Sequence, residues 1–199
     1  MKKYKSLVIC LTILCLSFVP IYGKDNSDTL DYTSSISTAI NVNEDNLMTR
    51  DEVEFYLLSK GLTLEEVRGK IGEPGITPKD IYYYVYRIPL NVTDQYRPEL
   101  EFTLKMDGAH GAYYIQDIMY VDMQRNYNGM SKQFQGTIHY HKESNTRVSY
   151  VVNGDFYNNG QTSVSFSAGN EVTTFTISYS SDHYKYFFDR SYFNYGNVY

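Results

Sequence analysis

Two histidines one residue apart, His139 and His141, are the sequence's sharpest candidates for metal chemistry. On a strand, positions i and i+2 share a face, so both imidazoles would reach one ion. A third ligand would be needed, with His110, His183 and Asp122 as candidates. The same spacing suits two solvent-facing histidines on a strand whose Ile138 and Tyr140 turn to the core, and no metal or other cofactor is expected. Carboxylates for glycoside hydrolysis meet only in space, and Asp117, Asp122, Glu143 and Asp155 lie on or near expected strands. Acids at strand ends are mostly solvated. Nucleophilic catalysis has little to use: no cysteine follows Cys15, and there is no Gly-x-Ser-x-Gly elbow, His-Glu-x-x-His helix or glycine-rich phosphate loop. Asp107-Gly-Ala-His-Gly111 joins two strands and opens no helix, so it reads as a hairpin turn. No catalytic residue is assigned.

Tyrosine is the remaining signal. The chain has 22, of which 20 follow residue 23, in clusters such as Tyr82-Tyr-Tyr84, Tyr86, Tyr113-Tyr114 and Tyr184–Tyr199. Within Ile81–Leu90, alternation puts Tyr82, Tyr84 and Tyr86 on one side with Ile88, against Ile81, Tyr83, Val85 and Arg87 on the other. Tyrosine also suits half-buried strand positions for purely structural reasons. Three stacked phenols need hydroxyl partners when buried, so partial exposure is the easier solution. The row Tyr82, Tyr84, Tyr86 is therefore the expected ligand-binding site, a linear aromatic platform for an extended glycan or peptide. Exposed tyrosine gives such a platform rigid contact area at low entropy cost.

These side chains need elements to hold them. Thr49-Arg-Asp-Glu52 and Thr63-Leu-Glu-Glu66 are capping boxes, flanked by the staple pairs Met48/Val53 and Leu62/Val67. With Gly61 and Gly72-x-Pro74 as stops, they predict an αα-hairpin over Arg50–Lys60 and Leu64–Ile71. After Pro78 the pattern turns β-branched and aromatic. Strands are expected at Ile81–Leu90, Glu101–Lys105, Tyr113–Met123, Gly136–His141, Thr146–Val152, Thr162–Ala168, Val172–Ser180 and Tyr184–Asp189. Turns are expected at Asp107-Gly108, Asn128-Gly129, Asn153-Gly154, Asn159-Gly160 and Gly169-Asn170. The fold class is α+β: an N-terminal αα-hairpin followed by an antiparallel β-meander, in a sandwich or an open barrel.

Gly61-Leu-Thr-Leu-Glu-Glu-Val67 followed by Ile71-Gly-Glu-Pro74 resembles a recurring pattern of the SmpA/OmlA (BamE-like) superfamily, which reads Gly–hydrophobic–Thr/Ser–x–x–acidic–Val and then hydrophobic–Gly–x–Pro. The resemblance spans residues 50–123, with Tyr82–Tyr86 and Leu100–Met106 in the matching order. It implies two helices on a small antiparallel sheet and a protein-binding scaffold, with no catalytic residues.

Residues 1–23 read as a secretory signal peptide: Lys2, Lys3 and Lys5, then the apolar run Leu7–Val19, then Pro20-Ile-Tyr-Gly23. That run is short for a bilayer span, which needs about 20 residues. Neither Ile9-Cys10 nor Leu14-Cys15 forms a lipobox, so no stable membrane anchor is expected after cleavage near Gly23-Lys24. Both cysteines fall within the signal, leaving a mature chain without disulfides; a chain of this length buries a sufficient core without them. Polar residues 24–47 read as a disordered leader, 48–123 as the helical hairpin plus strands, and 124–199 as a β-rich region forming one unit with them. The mature balance is 15 basic against 23 acidic residues with no Lys/Arg run, which disfavours nucleic acid as a partner. The Asn- and Tyr-rich, Trp-free composition fits an AT-rich Gram-positive bacterium. The expected function is a secreted, non-catalytic interaction protein that binds a protein or a cell-wall glycan through an aromatic surface. The alternatives are a secreted hydrolase acting on glycan or peptide, and a secreted antagonist or toxin.

Overall fold

Each capping box forms. Thr49 accepts from the Glu52 amide and the Glu52 carboxylate accepts from the Thr49 amide at 2.7 Å, opening α1 (Arg50–Ser59). Thr63 and Glu66 repeat the exchange to open α2 (Leu64–Ile71). Gly61 and Gly72, at φ 91° and 83°, take the left-handed turns that end the helices. Arg50 ties the pair together, reaching Glu54 at 2.9 Å and the Gly72 carbonyl at 2.6 Å.

The computed structural model describes residues 39–40, 46–75, 80–109, 112–167, 171–179 and 182–195. The expected signal peptide, most of the leader, His110, the Gly169-Asn170 turn and the last four residues lie outside these. The strands are β1 (Ala39–Ile40), β2 (Ile81–Pro89), β3 (Glu99–Ala109), β4 (Ala112–Gln124), β5 (Asn126–Tyr127), β6 (Met130–Ser131), β7 (Gln133–Ser144), β8 (Arg147–Tyr157), β9 (Thr162–Ser167), β10 (Val172–Ile177) and β11 (His183–Tyr195). They form a small antiparallel meander β2-β3-β4, a minor hairpin β5-β6, and a large sheet ordered β1-β11-β8-β7-β10-β9. That large sheet is not a simple meander, because the β9–β10 hairpin lies beyond β7 while β11 returns beside β8. Within the leader segment, Ala39–Ile40 runs parallel to Asn194–Tyr195 as an edge strand. The sheets do not close into a barrel.

Alternation assigns the faces. Tyr84 and Leu104, and likewise Tyr86 and Phe102, are directly paired across β2 and β3, so Tyr82, Tyr84, Tyr86 and Ile88 share a side with Leu100, Phe102, Leu104 and Met106. That side packs on the inner face of the large sheet. Phe102 meets the rings of Tyr140, Tyr150 and Phe193 at 6.3, 5.9 and 5.1 Å. The opposite side, with Ile81, Tyr83, Met119 and Tyr120, is covered by Val53, Leu57, Val67 and Ile71 of the helices. The small sheet is thus the middle layer of three.

Two expected turns are strand interior instead. Gly108 pairs with Tyr113 inside β3–β4; a Cβ there would stand 2.7 Å from the Tyr113 ring and 3.0 Å from Tyr82. The glycine serves ring packing. Asn153-Gly154 lies in β8, where Gly154 faces Gly136 across the ladder. A Cβ on either would sit 2.3 Å from a neighbouring carbonyl oxygen and under 3 Å from Phe134, whose ring fills the space they leave. Asn128-Gly129 does turn the β5–β6 hairpin, with φ of 48° and 76° as a two-residue turn of this hand requires.

Candidate functional site

The row Tyr82, Tyr84, Tyr86 lies between the two sheets rather than on the surface. Tyr84 is 8% exposed; the Tyr82 ring stands edge-on to Tyr113 at 5.7 Å, and Tyr86 packs on Phe193 at 4.6 Å. Burial pushes the phenols of Tyr84 and Tyr86 upward in pKa. The expected platform is core for a topological reason: the small sheet is packed on both faces, and the tyrosine side of β2 is the one turned to the large sheet.

Exposed aromatic surface occurs instead on β11. Its inward residues include Phe187, Phe193 and Tyr195, so alternation turns Tyr186, Phe188, Arg190 and Tyr192 outward. Tyr186 and Phe188 are 53% and 56% exposed, an unusual state for a phenylalanine. Successive outward rings on a strand lie about 7 Å apart. Polar groups flank the row. Tyr186 donates to Asn153 Oδ1 at 2.9 Å, the Arg147 guanidinium lies 3.8 Å over the Tyr192 ring, and His183 Nε2 holds Asp155 Oδ1 at 2.8 Å beside Tyr157. Asn153, Asp155 and Arg147 come from the outward positions of β8, set opposite β11 by the register.

His139 and His141 both lie exposed on the outer face of β7, as alternation requires. His141 Nδ1 is 2.7 Å from Glu171 Oε2, so that nitrogen carries the proton. Among the described residues no three His, Asp or Glu side chains are grouped as a metal ion would need. The four candidate acids are scattered. Asp117 caps the Ile118 amide at 2.8 Å, Asp122 lies under the helices, Glu143 is exposed near the end of β7, and Asp155 is paired to His183.

A charged knot that sequence reasoning missed joins the helices to the small sheet. Arg87, Glu101 and Asp122 stand opposite one another across β2, β3 and β4 on the helix side. Glu101, 3% exposed, accepts from Tyr56 OH and Lys60 Nζ, each at 2.6 Å, and from Arg87 Nε at 3.0 Å. Lys60 also reaches Asp122 at 3.3 Å. Burial alone would raise the Glu101 pKa, but these donors outweigh it and hold the carboxyl below its usual range. Burial likewise opposes the Lys60 charge, yet Glu101 and Asp122 push its pKa up. Tyr56 is raised to about 12 by burial and by its bond to Glu101. The pattern was invisible because Arg87, Glu101 and Asp122 are separated in sequence and meet only through register.

Beside the knot is a cleft of about 650 Å³ between the helical hairpin, the end of β4 and the start of β9. No known family matches this chain, and neither characterised proteins nor solved structures give a match.

Proposed function

We propose that the chain is an exported, non-catalytic binding protein of a Gram-positive bacterium that holds an extended cell-wall glycan on the outward face of β11. The observation that carries this reading is the exposure of Tyr186 and Phe188 in one strand row, where fold stability alone gives no reason for large rings. Apolar ring faces stack on the C–H faces of sugar units, while Asn153, Asp155 and Arg147 supply hydrogen bonds at the margin. Rigid aromatic anchors with a polar rim are the usual anatomy of a binding hot spot. The helices and small sheet then act as scaffold, as the resemblance over residues 50–123 implies.

The test is retention of the protein on insoluble cell-wall polysaccharide. Phe188→Ser and Tyr186→Ser should each weaken retention several-fold and the double variant should abolish it, with melting temperatures unchanged, as for exposed positions. Wild-type protein that fails to bind, or a double variant that binds as well as wild type, overturns the proposal. Loss of binding to a surface protein but not to glycan would favour the protein-partner reading instead.

A further inference from the structure

β9 ends the large sheet, and its free edge is unguarded. Edge strands are normally blunted by a charge, a proline or a bulge, and Thr162–Ser167 has none of these. The Gln161 carbonyl accepts from the Ser178 amide at 3.1 Å. Hydrogen-bonded pairs alternate along an antiparallel ladder. Ser163 and Ser165 therefore turn their backbone groups to β10, and Thr162, Val164 and Phe166 turn theirs to the edge. The Thr162 amide is met there by Gln133 Oε1 at 3.1 Å. The amide and carbonyl of Val164 have no partner among the described residues. Val164 also stands opposite the core residue Phe175 and shares its face, yet is 37% exposed.

Thr162 and Val164 form one wall of the cleft, and Gly61, Leu62 and Gly69 of the helical hairpin face into it from the other side. The charged groups Lys60, Glu66, Lys70 and Asp122 on its walls all have partners of their own. Arg125 differs. Its Nη1 donates at 2.9 Å to the neutral Gln133 Oε1, and among the described residues it makes no ion pair. Burial works against its charge, and Asp122 offsets only part of that cost from a distance. The residue is held in place: its carbonyl accepts from the buried Tyr96 hydroxyl at 2.8 Å, and Gln133 Oε1 is fixed by the amide and hydroxyl of Thr162. A guanidinium positioned in this way has lost side-chain entropy before any ligand arrives. It stands at the start of the open edge, one glutamine oxygen from Thr162.

We propose that this cleft takes the C-terminal end of an extended peptide, added as a strand antiparallel to β9, with its carboxylate on Arg125 and one apolar side chain against Val164 and Leu62. The direction follows from where the cation sits. β9 runs away from Arg125, so an antiparallel strand ends there and brings a carboxylate. A parallel strand would begin there and set an ammonium against the guanidinium. Main-chain bonds to Val164 and Phe166 bind any extended sequence, and the guanidinium fork can donate to both carboxylate oxygens. The peptide residue opposite Val164 shares its inward face, which selects an apolar side chain there. Nothing in this site depends on the β11 row.

The probes are an acetylated tetrapeptide alternating threonine and valine with a free C-terminus, the same peptide as its C-terminal amide, and an amide-capped version carrying one glutamate. Each is titrated by calorimetry to about 1 mM, with hydrogen exchange of the Val164 amide followed by NMR. The free acid should bind roughly tenfold or more tightly than the amide and should slow exchange at Val164. Arg125→Gln should remove the difference between acid and amide. Val164→Pro deletes an N–H that faces the edge and leaves the β10 ladder intact, so it should abolish binding with the melting temperature near wild type. Val164→Pro and the peptide comparison on wild type suffice should Arg125→Gln fold poorly. Phe188→Ser should leave this binding intact, which separates failure here from failure of the glycan reading. The proposal is overturned when the free acid binds no better than acetate, or when the amide or the glutamate peptide binds as well as the acid. Unchanged Val164 exchange in the bound state, or a folded Val164→Pro protein that binds as wild type, overturns it equally.

Discussion

Removing the Glu101 carboxylate should cost more stability than any other single charge change in the described structure. Glu101 is 3% exposed and Lys60 17%, so neither the pair nor its loss is strongly screened. Deleting one partner of a buried ion pair costs about 3–5 kcal/mol, because the other charge is left uncompensated. Two features set Glu101→Ala at the low end, about 3 kcal/mol. Lys60 keeps Asp122 at 3.3 Å, and Arg87 is half exposed, so its bond to Glu101 is worth at most about 1 kcal/mol. Glu101→Gln keeps an acceptor for Tyr56 and should cost about 2 kcal/mol. Urea denaturation measures both, and a cycle with Lys60→Met should show coupling of about 1 kcal/mol or more. The sign of the pH dependence follows from the shifts. The lowered Glu101 pKa gives stability that is present above the unfolded carboxyl pKa, about 4.3, and lost as pH falls through the folded value. The raised pKa values of Lys60 and Tyr56 give stability present below their unfolded values and lost as pH rises through the folded ones. Glu101→Gln should therefore flatten the acid limb of the stability profile. A loss under about 1 kcal/mol for Glu101→Ala, or no coupling to Lys60, would refute the account of how helices and sheet are joined.

Thr49→Ala and Thr63→Ala each remove a cap hydroxyl and should each cost about 1 kcal/mol in urea melts; values within error of zero at both would contradict the capping. The Tyr83 hydroxyl is buried beneath the helices with no hydrogen-bond partner among the described residues, so Tyr83→Phe should be neutral or stabilising by about 1 kcal/mol, and a clear loss would reveal a partner. Burial raises the Asp189 pKa despite bonds from Tyr150 and the Arg190 amide. Its contribution is favourable below the unfolded pKa and lost as pH rises through the folded one. Asp189→Asn should hence raise the melting temperature at pH 7, with the gain shrinking toward pH 4; a constant gain across that range would point to a cause other than ionisation.

The parts legible in sequence were those decided within one or two helical turns. Both capping boxes satisfy their amides from residues three apart, so Thr49/Glu52 and Thr63/Glu66 announce the helices without tertiary help. Each expected strand overlaps an observed one, but β8 and β11 run on to Tyr157 and Tyr195, well past the expected ends at Val152 and Asp189, and the short strands β1, β5 and β6 were not expected. Layering was not legible, because the same row Tyr82, Tyr84, Tyr86 is compatible with core or surface until it is known what covers each face of β2. Ile88 on the tyrosine side, and Phe102 with Leu104 on the neighbouring strand, were the local hints that this side is core. Glycine was ambiguous in the same way: Asn128-Gly129 makes a turn by its own dihedrals, whereas Gly108 and Gly154 answer to rings from other strands. The outward row on β11 was hidden within a tyrosine-rich tail where inward and outward rings look alike.

The facing glycines of β7 and β8 also limit how this sequence can drift. Gly136, Gly154 and Phe134 occupy one volume between them, so a methyl added at either glycine must be matched by a smaller residue at 134. The cost spreads further, because Phe134 packs on Phe156 and Phe175 and its amide is tied to Thr162 at the mouth of the cleft. Three positions drawn from two strands, Phe134 and Gly136 on β7 and Gly154 on β8, thus behave as one inherited unit: single substitutions are penalised, and compensated sets are open. Divergent forms of this chain should change the three together or not at all, and with them the mouth of the cleft that Thr162 lines.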